Sequence, residues 1–397
     1  MDSSASSTLE LEKPGISTWL TLLLATACGL LAANIYYSQP LAGLIASAIG
    51  LPASSTGLVV TLTQLGYGAG LLLIAPMGDL FENRKLTITL ILIAAVGLLV
   101  SGFAHSPLPF LLAALVTGLG TVAVQVLVPY AAHMAPEESR GRVVGNVMSG
   151  LMLGIMLARP VASFITQLSN WTVVFYLSSA GMALLAVLLS FVLPKRMPAA
   201  KLSYVSLIGS MWHLLRTTPV LRRRAIYHAF LFGAFSLFWT TTPLLLTSVF
   251  HLNQGEIALF ALAGVAGAIA APIAGRVADR GLTKPATGFA MACVAAAFLI
   301  THISAPGSHA ALALLVVAAV LLDFGVSANM TLGQRTLFAL GGEYRARLNG
   351  LYMTTFFMGA AAGSAVGGWA FAQNGWSLTS WIGFAMPVAA LLYFISE

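Results

Sequence analysis

The stretch Gly66–Lys85, GYGAGLLLIAPMGDLFENRK, decides the fold, because an apolar run ends there in an aspartate and a basic pair. An apolar helix that carries charge at one end is typical of a membrane span whose end meets water. The chain repeats this pattern at Pro272–Arg280, where an apolar run ends in GRVADRG and Asp279 stands where Asp79 stood. The sequence therefore predicts two copies of one membrane unit.

The composition excludes a soluble domain. Of the 397 residues 58% are apolar and 8% are charged, whereas soluble domains contain about 25% charged residues. Twelve apolar runs, the first at 18–47, are each long enough to cross about 30 Å of hydrocarbon. We predict an all-α membrane protein with twelve transmembrane helices in two six-helix halves. The expected divisions are a polar cytoplasmic N-terminus (1–16), a first half (17–194), a cytoplasmic linker (195–223) and a second half (224–397).

The basic residues fall on one side of this twelve-span arrangement. The opposite loops contain none of the 19 Lys and Arg residues, and only Arg159 lies within a span. Because cytoplasmic loops carry the excess of Lys and Arg, we place both termini in the cytoplasm. The net charge of +7 therefore orients the chain in a cell membrane, which we expect to be a bacterial inner membrane. It does not indicate nucleic-acid binding.

The linker contains a second kind of membrane signal. Ile208, Met211, Trp212 and Leu215 recur there at helical spacing, which predicts an interfacial helix resting on lipid headgroups. The alternative is a regulatory lipid site.

The internal repeat is wider than the first motif. ESRGRVVG at 138–145 is echoed by EYRARLNG at 343–350, and Gln39-Pro40-Leu41 is echoed by Thr242-Pro243-Leu244. These offsets are similar throughout, so we infer a duplicated six-span unit. Six is an even number, so the two halves have the same orientation and are expected to rock about a central site.

These residues carry a family resemblance. GRVADRG at 275–281 resembles the signature loop of the major facilitator superfamily, and the twelve runs, the long linker and the two loop copies are similar to that fold. Within the superfamily, the segments 37–41 and 154–160 resemble the drug:proton antiporter group, which implies a small-molecule exporter. The chain departs from the pattern at several positions: Leu80, Glu82, Asn83, Ala114 and Arg159.

Charges at the cytoplasmic mouth suggest a gate. A carboxylate there is stabilised by the positive end of a nearby helix, and the resemblance favours a latch that closes the cytoplasmic side. The candidate residues are Asp79, Arg84, Arg142, Asp279 and Arg280. The alternative is that the two aspartates only fix topology and pack the loops.

Two charged residues lie deep in the apolar runs. Asp323 lies about 18 Å from Arg335 at 1.5 Å per residue, hence near mid-membrane. A carboxylate there is costly unless it is paired or protonated, so it marks function by default, although an Asp hydrogen-bonded between packed helices is the alternative. Arg159 lies about 25 Å from Arg142, in the outer half. It either snorkels outward, binds an anionic group or pairs with Asp323.

Polar and aromatic residues that interrupt the apolar runs are candidates for the substrate cavity. They suit a flat or amphipathic ligand. The alternative is that the aromatic residues, which recur along one face of a helix, only pack against other helices or lipid. With Arg159 the candidates form the predicted binding set: Asn34, Tyr37, Gln64, Gln125, Phe235, Trp239, Asn329, Tyr352 and Phe357.

The sequence contains no phosphate loop, no Ser/His/Asp set and no metal-ligand spacing. We therefore expect no cofactor and no enzymatic activity. The leading hypothesis is a monomeric, proton-coupled exporter of small organic molecules, with Asp323 carrying the proton and lipid as its surroundings. The alternatives are an importer or facilitator of an anionic metabolite held by Arg159 and, from another class, a non-transporting receptor or intramembrane enzyme.

Overall fold

The computed structural model describes residues 16–198, 203–341 and 344–396, and these residues form helices and no strand. The predicted N-terminus (1–16) lies outside them except for Ile16, as do linker residues 199–202. Ten helical stretches within the described residues are long and apolar enough to cross a membrane; three of them join consecutive helices, namely Ala53–Asp79, Pro107–Met134 and Gln254–Asp279, and Thr18–Ala33 is a shorter apolar helix. The helices, in chain order, are α1 Thr18–Ala33, α2 Ala42–Ala48, α3 Leu58–Leu73, α4 Asn83–Phe103, α5 Pro107–Thr121, α6 Ala123–Met134, α7 Arg140–Leu168, α8 Trp171–Val192, α9 Tyr204–Thr217, α10 Pro219–Ser248, α11 Gln254–Ala261, α12 Ala270–Asp279, α13 Thr283–Ile300, α14 His309–Phe338 and α15 Arg345–Ile395.

The first apolar run is broken near its middle, whereas the sequence predicted one uninterrupted run over 18–47. Helix α1 ends at Ala33, and residues 34–41 form successive turns before α2 begins. Most of the backbone bonds there, such as Tyr36 N to Ala33 O, span three residues rather than four. Pro40 has no N–H to offer a helix, so an α-helical ladder cannot continue through it unchanged. A second tightened segment, the 3₁₀ helix Leu262–Ile269, separates α11 from α12.

The long helix α15 contains a reversal of the chain. Asn374 and Gly375 have non-helical backbone angles, and the φ of Gly375 is +56°, a conformation that glycine adopts without strain. Tyr227 contacts Tyr393, and its neighbour His228 stacks on Tyr352. Because both ends of α15 meet the same part of α10, the chain turns back at Asn374–Gly375.

Glycines let the helices approach closely. A Cβ atom at Gly154 of α7 would lie 2.1 Å from the Gly29 carbonyl oxygen of α1, and one at Gly57 would lie 2.0 Å from the Ser364 carbonyl oxygen of α15. Close backbone contact through small residues is how helices associate in membranes, where apolar side chains gain nothing over lipid. The contact at Gly57 lies where α3 begins, so α3 and α15 are closed together at that end.

Helix α9 bridges two parts of the molecule. It buries Leu207 and Met211 and exposes Trp212. The Tyr204 hydroxyl donates to the Leu73 carbonyl at 2.8 Å, and Arg347 donates to the Ser210 hydroxyl at 3.0 Å. The linker helix is therefore attached both to the end of α3 and to the start of α15.

Candidate functional site

Arg159 is buried at the centre of the molecule on α7. Its guanidinium Nε donates to Gln39 Oε1 at 2.7 Å, and its side chain is 3% exposed. Three aromatic rings surround the guanidinium carbon, with centroids 4.3 Å (Trp239), 5.0 Å (Phe235) and 5.2 Å (Tyr36) away. Cation–π contacts stabilise a desolvated guanidinium. The Nη2 nitrogen has no hydrogen-bond partner.

Asp323 on α14 contacts the same tryptophan. Trp239 Nε1 donates to Asp323 Oδ1 at 2.8 Å, and Asp323 is 6% exposed. The 3₁₀ segment packs directly against this carboxylate, since a Cβ at Gly264 would lie 2.8 Å from Asp323 Oδ2 and one at Gly267 would lie 2.7 Å from Asp323 Cβ. Trp239 therefore links the deep acid with the deep base.

Both irregular segments of the fold meet at this place. The turns at 34–41 supply Tyr36 and Gln39 to Arg159, and the 3₁₀ helix supplies the glycines beside Asp323. Interrupted membrane helices commonly build binding sites, because their irregular backbone is tolerated only where protein or water surrounds it. A carboxyl group, a fixed cation and an aromatic wall can together bind a small organic molecule, and the carboxyl group can exchange a proton with it or in competition with it.

The centre is closed in this conformation. A cavity of about 500 Å³ lies elsewhere, at the C-terminal end of α10, and neither Arg159 nor Asp323 lines it. Among its lining residues are Ser248, Phe250, His302, Phe371 and Trp376. Access to the central residues therefore requires the helices to move.

The other residues predicted to line the cavity fall into separate groups. The Asn34 carboxamide accepts from Ser178 at 2.6 Å, and Tyr37 is also beside Ser178. Gln125 donates to the Tyr67 hydroxyl at 2.9 Å, and that ring meets Phe357 edge-on at 4.6 Å. Neighbouring helices therefore supply hydrogen-bond partners to Asn34 Oδ1 and Gln125 Nε2, whereas Asn34 Nδ2 is buried without one.

Gln64 belongs to a buried hydrogen-bond network that joins α3 to α10 and α15. Its Nε2 donates to the Ser236 hydroxyl at 2.7 Å, and its Oε1 accepts from the Ser364 hydroxyl at 3.1 Å. The two serine hydroxyls lie 2.6 Å apart. The structure thus places Gln64 in a contact between helices, away from Arg159.

Asn329 and Tyr352 form another group, around His228. Asn329 Nδ2 lies 2.9 Å from His228 Nδ1, and Tyr352 stacks on the imidazole at 5.5 Å. Of the predicted binding set, the structure therefore brings only Phe235 and Trp239 together with Arg159 and Asp323.

The predicted gate residues lie at the ends of the helices and do not meet one another across the mouth. Asp279 is paired with Arg335, and Arg84 donates to the Ser190 carbonyl. Asp79, Arg142 and Arg280 are exposed, and no hydrogen bond or ion pair of their side chains occurs within the described residues. Among the described residues the latch is therefore not formed in this conformation, and nearby Arg347 donates to Ser210 of the linker helix.

Sequence reasoning missed Tyr36, Gln39 and His228 as members of the buried polar groups. Pro40 was the available signal for the first two, since a proline in the middle of an apolar run predicts an irregular backbone. His228 gave no such signal, because an isolated histidine has no spacing that points to a partner.

Comparison with known proteins agrees with this architecture. The family model described as "Major Facilitator Superfamily" matches residues 22–315. A protein of Escherichia coli O157:H7 called "Uncharacterized transporter YgaY" is 38% identical over 378 residues, covering 95% of each chain. "Chloramphenicol efflux pump MT0201" of Mycobacterium tuberculosis (strain CDC 1551 / Oshkosh) is 25% identical over 247 residues, covering 61% of this chain and 59% of its own.

Among solved structures, the nucleoside transporter NupG has a similar fold, with a TM-score of 0.73 and 16% identity over 95% of this chain and 99% of that chain. The family match and the long alignment with a transporter indicate a multi-pass membrane transport protein rather than an enzyme. The chain belongs to the major facilitator superfamily.

Proposed function

We propose that this transporter exports small organic molecules by alternating access in exchange for protons, with Asp323 carrying the proton. The observation that carries the proposal is the buried carboxylate itself. Asp323 is 6% exposed and bonded to the Trp239 indole, which also contacts the Arg159 guanidinium. A carboxylate at this depth is costly when ionised and unpaired, so its protonation is coupled to whatever occupies the space beside Trp239 and Arg159.

The aromatic wall supports an organic solute. Phe232 and Phe235 stack with centroids 5.0 Å apart, and Trp239 continues the same stripe of α10. Flat rings of this kind bind planar or amphipathic molecules when the helices part. The relative named as a chloramphenicol efflux pump supports export of such a molecule, which is neutral and aromatic.

The proposal includes the full architecture. The described residues are consistent with twelve spans in two halves. Thr18–Ala33 with its continuation after the break is one span, and the ten long apolar stretches supply the others, because the reversal divides α15 into two. The basic ends of the helices support cytoplasmic termini in a bacterial inner membrane. We propose a monomer surrounded by lipid, with protons and one small solute as its partners.

The test is the sign of the proton movement. Purified protein is first screened for solutes that raise its thermal stability, beginning with chloramphenicol, because binding stabilises by mass action. The protein is then reconstituted in vesicles with an acidic lumen that contains a pH-sensitive dye. An exchanger makes the lumen more alkaline when the solute enters. Acidification of the lumen would show co-transport, and solute uptake without a pH change would show a facilitator; either result contradicts the proposal.

A second candidate function is transport of an organic anion held by Arg159. The observation that favours it is the Nη2 nitrogen of Arg159, which is buried without a hydrogen-bond partner. A guanidinium is protonated at any accessible pH and binds a carboxylate through two parallel hydrogen bonds. An anion placed between the aromatic rings would supply the missing acceptor.

Benzoate and its uncharged analogue benzamide separate the two candidates, because they differ in charge and hardly in shape. Anion transport predicts that benzoate, and not benzamide, raises the thermal stability of the wild-type protein. It further predicts that Arg159→Lys weakens this effect and that Arg159→Ala abolishes it, because Lys keeps the charge and loses the planar pair of donors. Equal stabilisation by both probes, or by neither, contradicts the anion candidate.

A further inference from the structure

A second buried polar group lies apart from the central site. His228 of α10, Asn329 of α14 and Tyr352 of α15 are 0%, 2% and 0% exposed. Asn329 Nδ2 and His228 Nδ1 lie 2.9 Å apart, and which of them donates depends on the histidine tautomer. Phe232 and Tyr352 stack on the imidazole, and Phe356 meets it edge-on at 4.7 Å.

Three polar atoms of this group have no hydrogen-bond partner. They are His228 Nε2, Asn329 Oδ1 and the Tyr352 hydroxyl oxygen. A buried polar group without a partner costs stability, because it has lost its hydrogen bonds to water. Buried water relieves such a cost where several polar atoms offer it two to four bonds. The unpaired atoms of His228, Asn329 and Tyr352 thus offer hydrogen bonds that the neighbouring side chains do not fill.

The group lies between Asp323 and the basic end of the bundle. Asn329 follows Asp323 by six residues on α14, a rise of about 9 Å, and Arg335 follows by six more. On α10 the order is the same: Trp239 contacts Asp323, His228 contacts Asn329, and Arg222 lies beyond. All three helices belong to the second predicted half, so rocking of the halves leaves the group intact.

The chemistry of these side chains suits proton transfer. An imidazole accepts a proton at one ring nitrogen and releases one from the other. The Asn329 carboxamide can present its NH₂ or its oxygen to Nδ1, so it fits either tautomer. The faces of Phe232 and Tyr352 stabilise a transient imidazolium.

The charged groups along the packed helices oppose a lasting positive charge on His228. Arg224 lies four residues before it and donates to Thr287 of α13 at 2.8 Å. Arg335 on α14 is paired with Asp279, and Arg347 on α15 donates to Ser210 of α9. Like charges disfavour the imidazolium form, so a proton bound by His228 is passed on rather than kept.

We infer that His228, Asn329 and Tyr352 hold water and relay protons between Asp323 and the cytoplasmic side. A proton that leaves the Asp323 carboxyl through water binds His228, and the resulting imidazolium gives up an N–H proton to water on the cytoplasmic side. No electrons are transferred, and the imidazole returns to its neutral form. This inference rests on the proposed function, because it requires Asp323 to exchange protons.

The test measures the rate at which Asp323 takes up a proton, without a solute. Infrared spectra of the protein in lipid nanodiscs are recorded after a rapid drop in pH, and the carboxyl band that is missing in Asp323→Asn is followed. We expect Tyr352→Phe and His228→Phe to slow the rise of this band at least ~10-fold, since a positioned proton-transfer group contributes about 10²–10⁴-fold. Thr87→Val is the matched control, because it also removes a buried hydroxyl without a partner.

Tyr352→Phe separates a relay from a structural role. The variant removes only the hydroxyl and keeps the ring that stacks on His228, so a slower band at unchanged thermal stability supports the relay. Equal rates in the wild type and both variants, or the same slowing in Thr87→Val, would overturn it while leaving Asp323 as the proton carrier. If the wild type has no titrating band that Asp323→Asn lacks, the proposed function fails as well.

Discussion

The two copies of the charged loop are held in different ways. In the second copy, Asp279 at the end of α12 pairs with Arg335 of α14, which also donates to the Gly275 carbonyl at 2.7 Å. In the first copy, Asp79 is exposed and makes no such contact within the described residues. Here the side chain of Asn83 holds the loop through two hydrogen bonds: its Nδ2 donates to the Gly78 carbonyl at 2.6 Å, and its Oδ1 accepts from Arg196 at 2.9 Å.

Two of the three residues in which the first copy departs from the family pattern, Glu82 and Asn83, are therefore the ones that hold it. Glu82 caps α4 by accepting from the Arg84 backbone N–H, and Asn83 is 2% exposed beneath the loop. A buried amide with two short bonds is a stronger attachment than an exposed ion pair. The difference shows that two copies of a loop can keep the same role in the fold while an ion pair in one is replaced by amide hydrogen bonds in the other. Within the described residues, Asp79 is therefore not needed to hold the first loop.

The largest expected effect follows from removing the buried amide. Asn83→Ala deletes both side-chain bonds and leaves the Gly78 carbonyl and the Arg196 guanidinium to find other partners, so we expect a loss of about 1–3 kcal/mol in stability. The measurement is the thermal unfolding midpoint in detergent. Thr283→Ala, at the equivalent place in the second copy, is the control, and a midpoint as low as that of Asn83→Ala would show that the two copies do not differ.

A smaller effect is expected at the exposed ion pair. The side chains of Arg335 and Asp279 are 45% and 61% exposed, and pairs of this kind contribute about 0–1 kcal/mol. Asp279→Asn should therefore lower the unfolding midpoint less than Asn83→Ala does. High salt should remove the difference from the wild type, since it screens exposed charges. A large, salt-independent loss would contradict this assignment.

The smallest effect on stability is expected at Asp79, whose side chain forms no hydrogen bond or ion pair with the residues that the structure describes. Asp79→Asn should leave the unfolding midpoint unchanged. If Asp79 acts as a latch in another conformation, as the resemblance suggests, the same variant should still slow solute flux in vesicles. Unchanged flux would reduce Asp79 to a residue that fixes topology.

The sequence predicted an all-helical membrane transporter of this superfamily, and the fold and the relatives confirm that level of description. It also estimated that Arg159 and Asp323 differ in depth by about 7 Å. In the structure Trp239 contacts both residues: its indole N–H donates to Asp323, and its ring lies against the Arg159 guanidinium. The sequence could not predict these contacts, because aromatic residues along one face of a membrane helix usually pack against other helices or lipid.

The contacts of the remaining site residues could not be predicted from the sequence, for a general reason. A polar residue in an apolar span must find a partner, and the sequence does not say which helix supplies it. Gln64 and Gln125 are predicted to line the cavity, yet in the structure they donate hydrogen bonds to the hydroxyls of Ser236 and Tyr67. Tyr36 and Gln39 depend on the break in the first run, where hydropathy alone continues without interruption.

The central claim is that Asp323 couples solute movement to protons. The direct test compares wild type, Asp323→Asn and Glu138→Gln in vesicles, where Glu138 is an exposed acid that undergoes the same chemical change. Solute exchange at equal pH needs no net proton release, whereas accumulation driven by a pH gradient does. We predict that Asp323→Asn keeps exchange and loses gradient-driven accumulation, while Glu138→Gln keeps both. Gradient-driven accumulation that survives in Asp323→Asn would contradict the account.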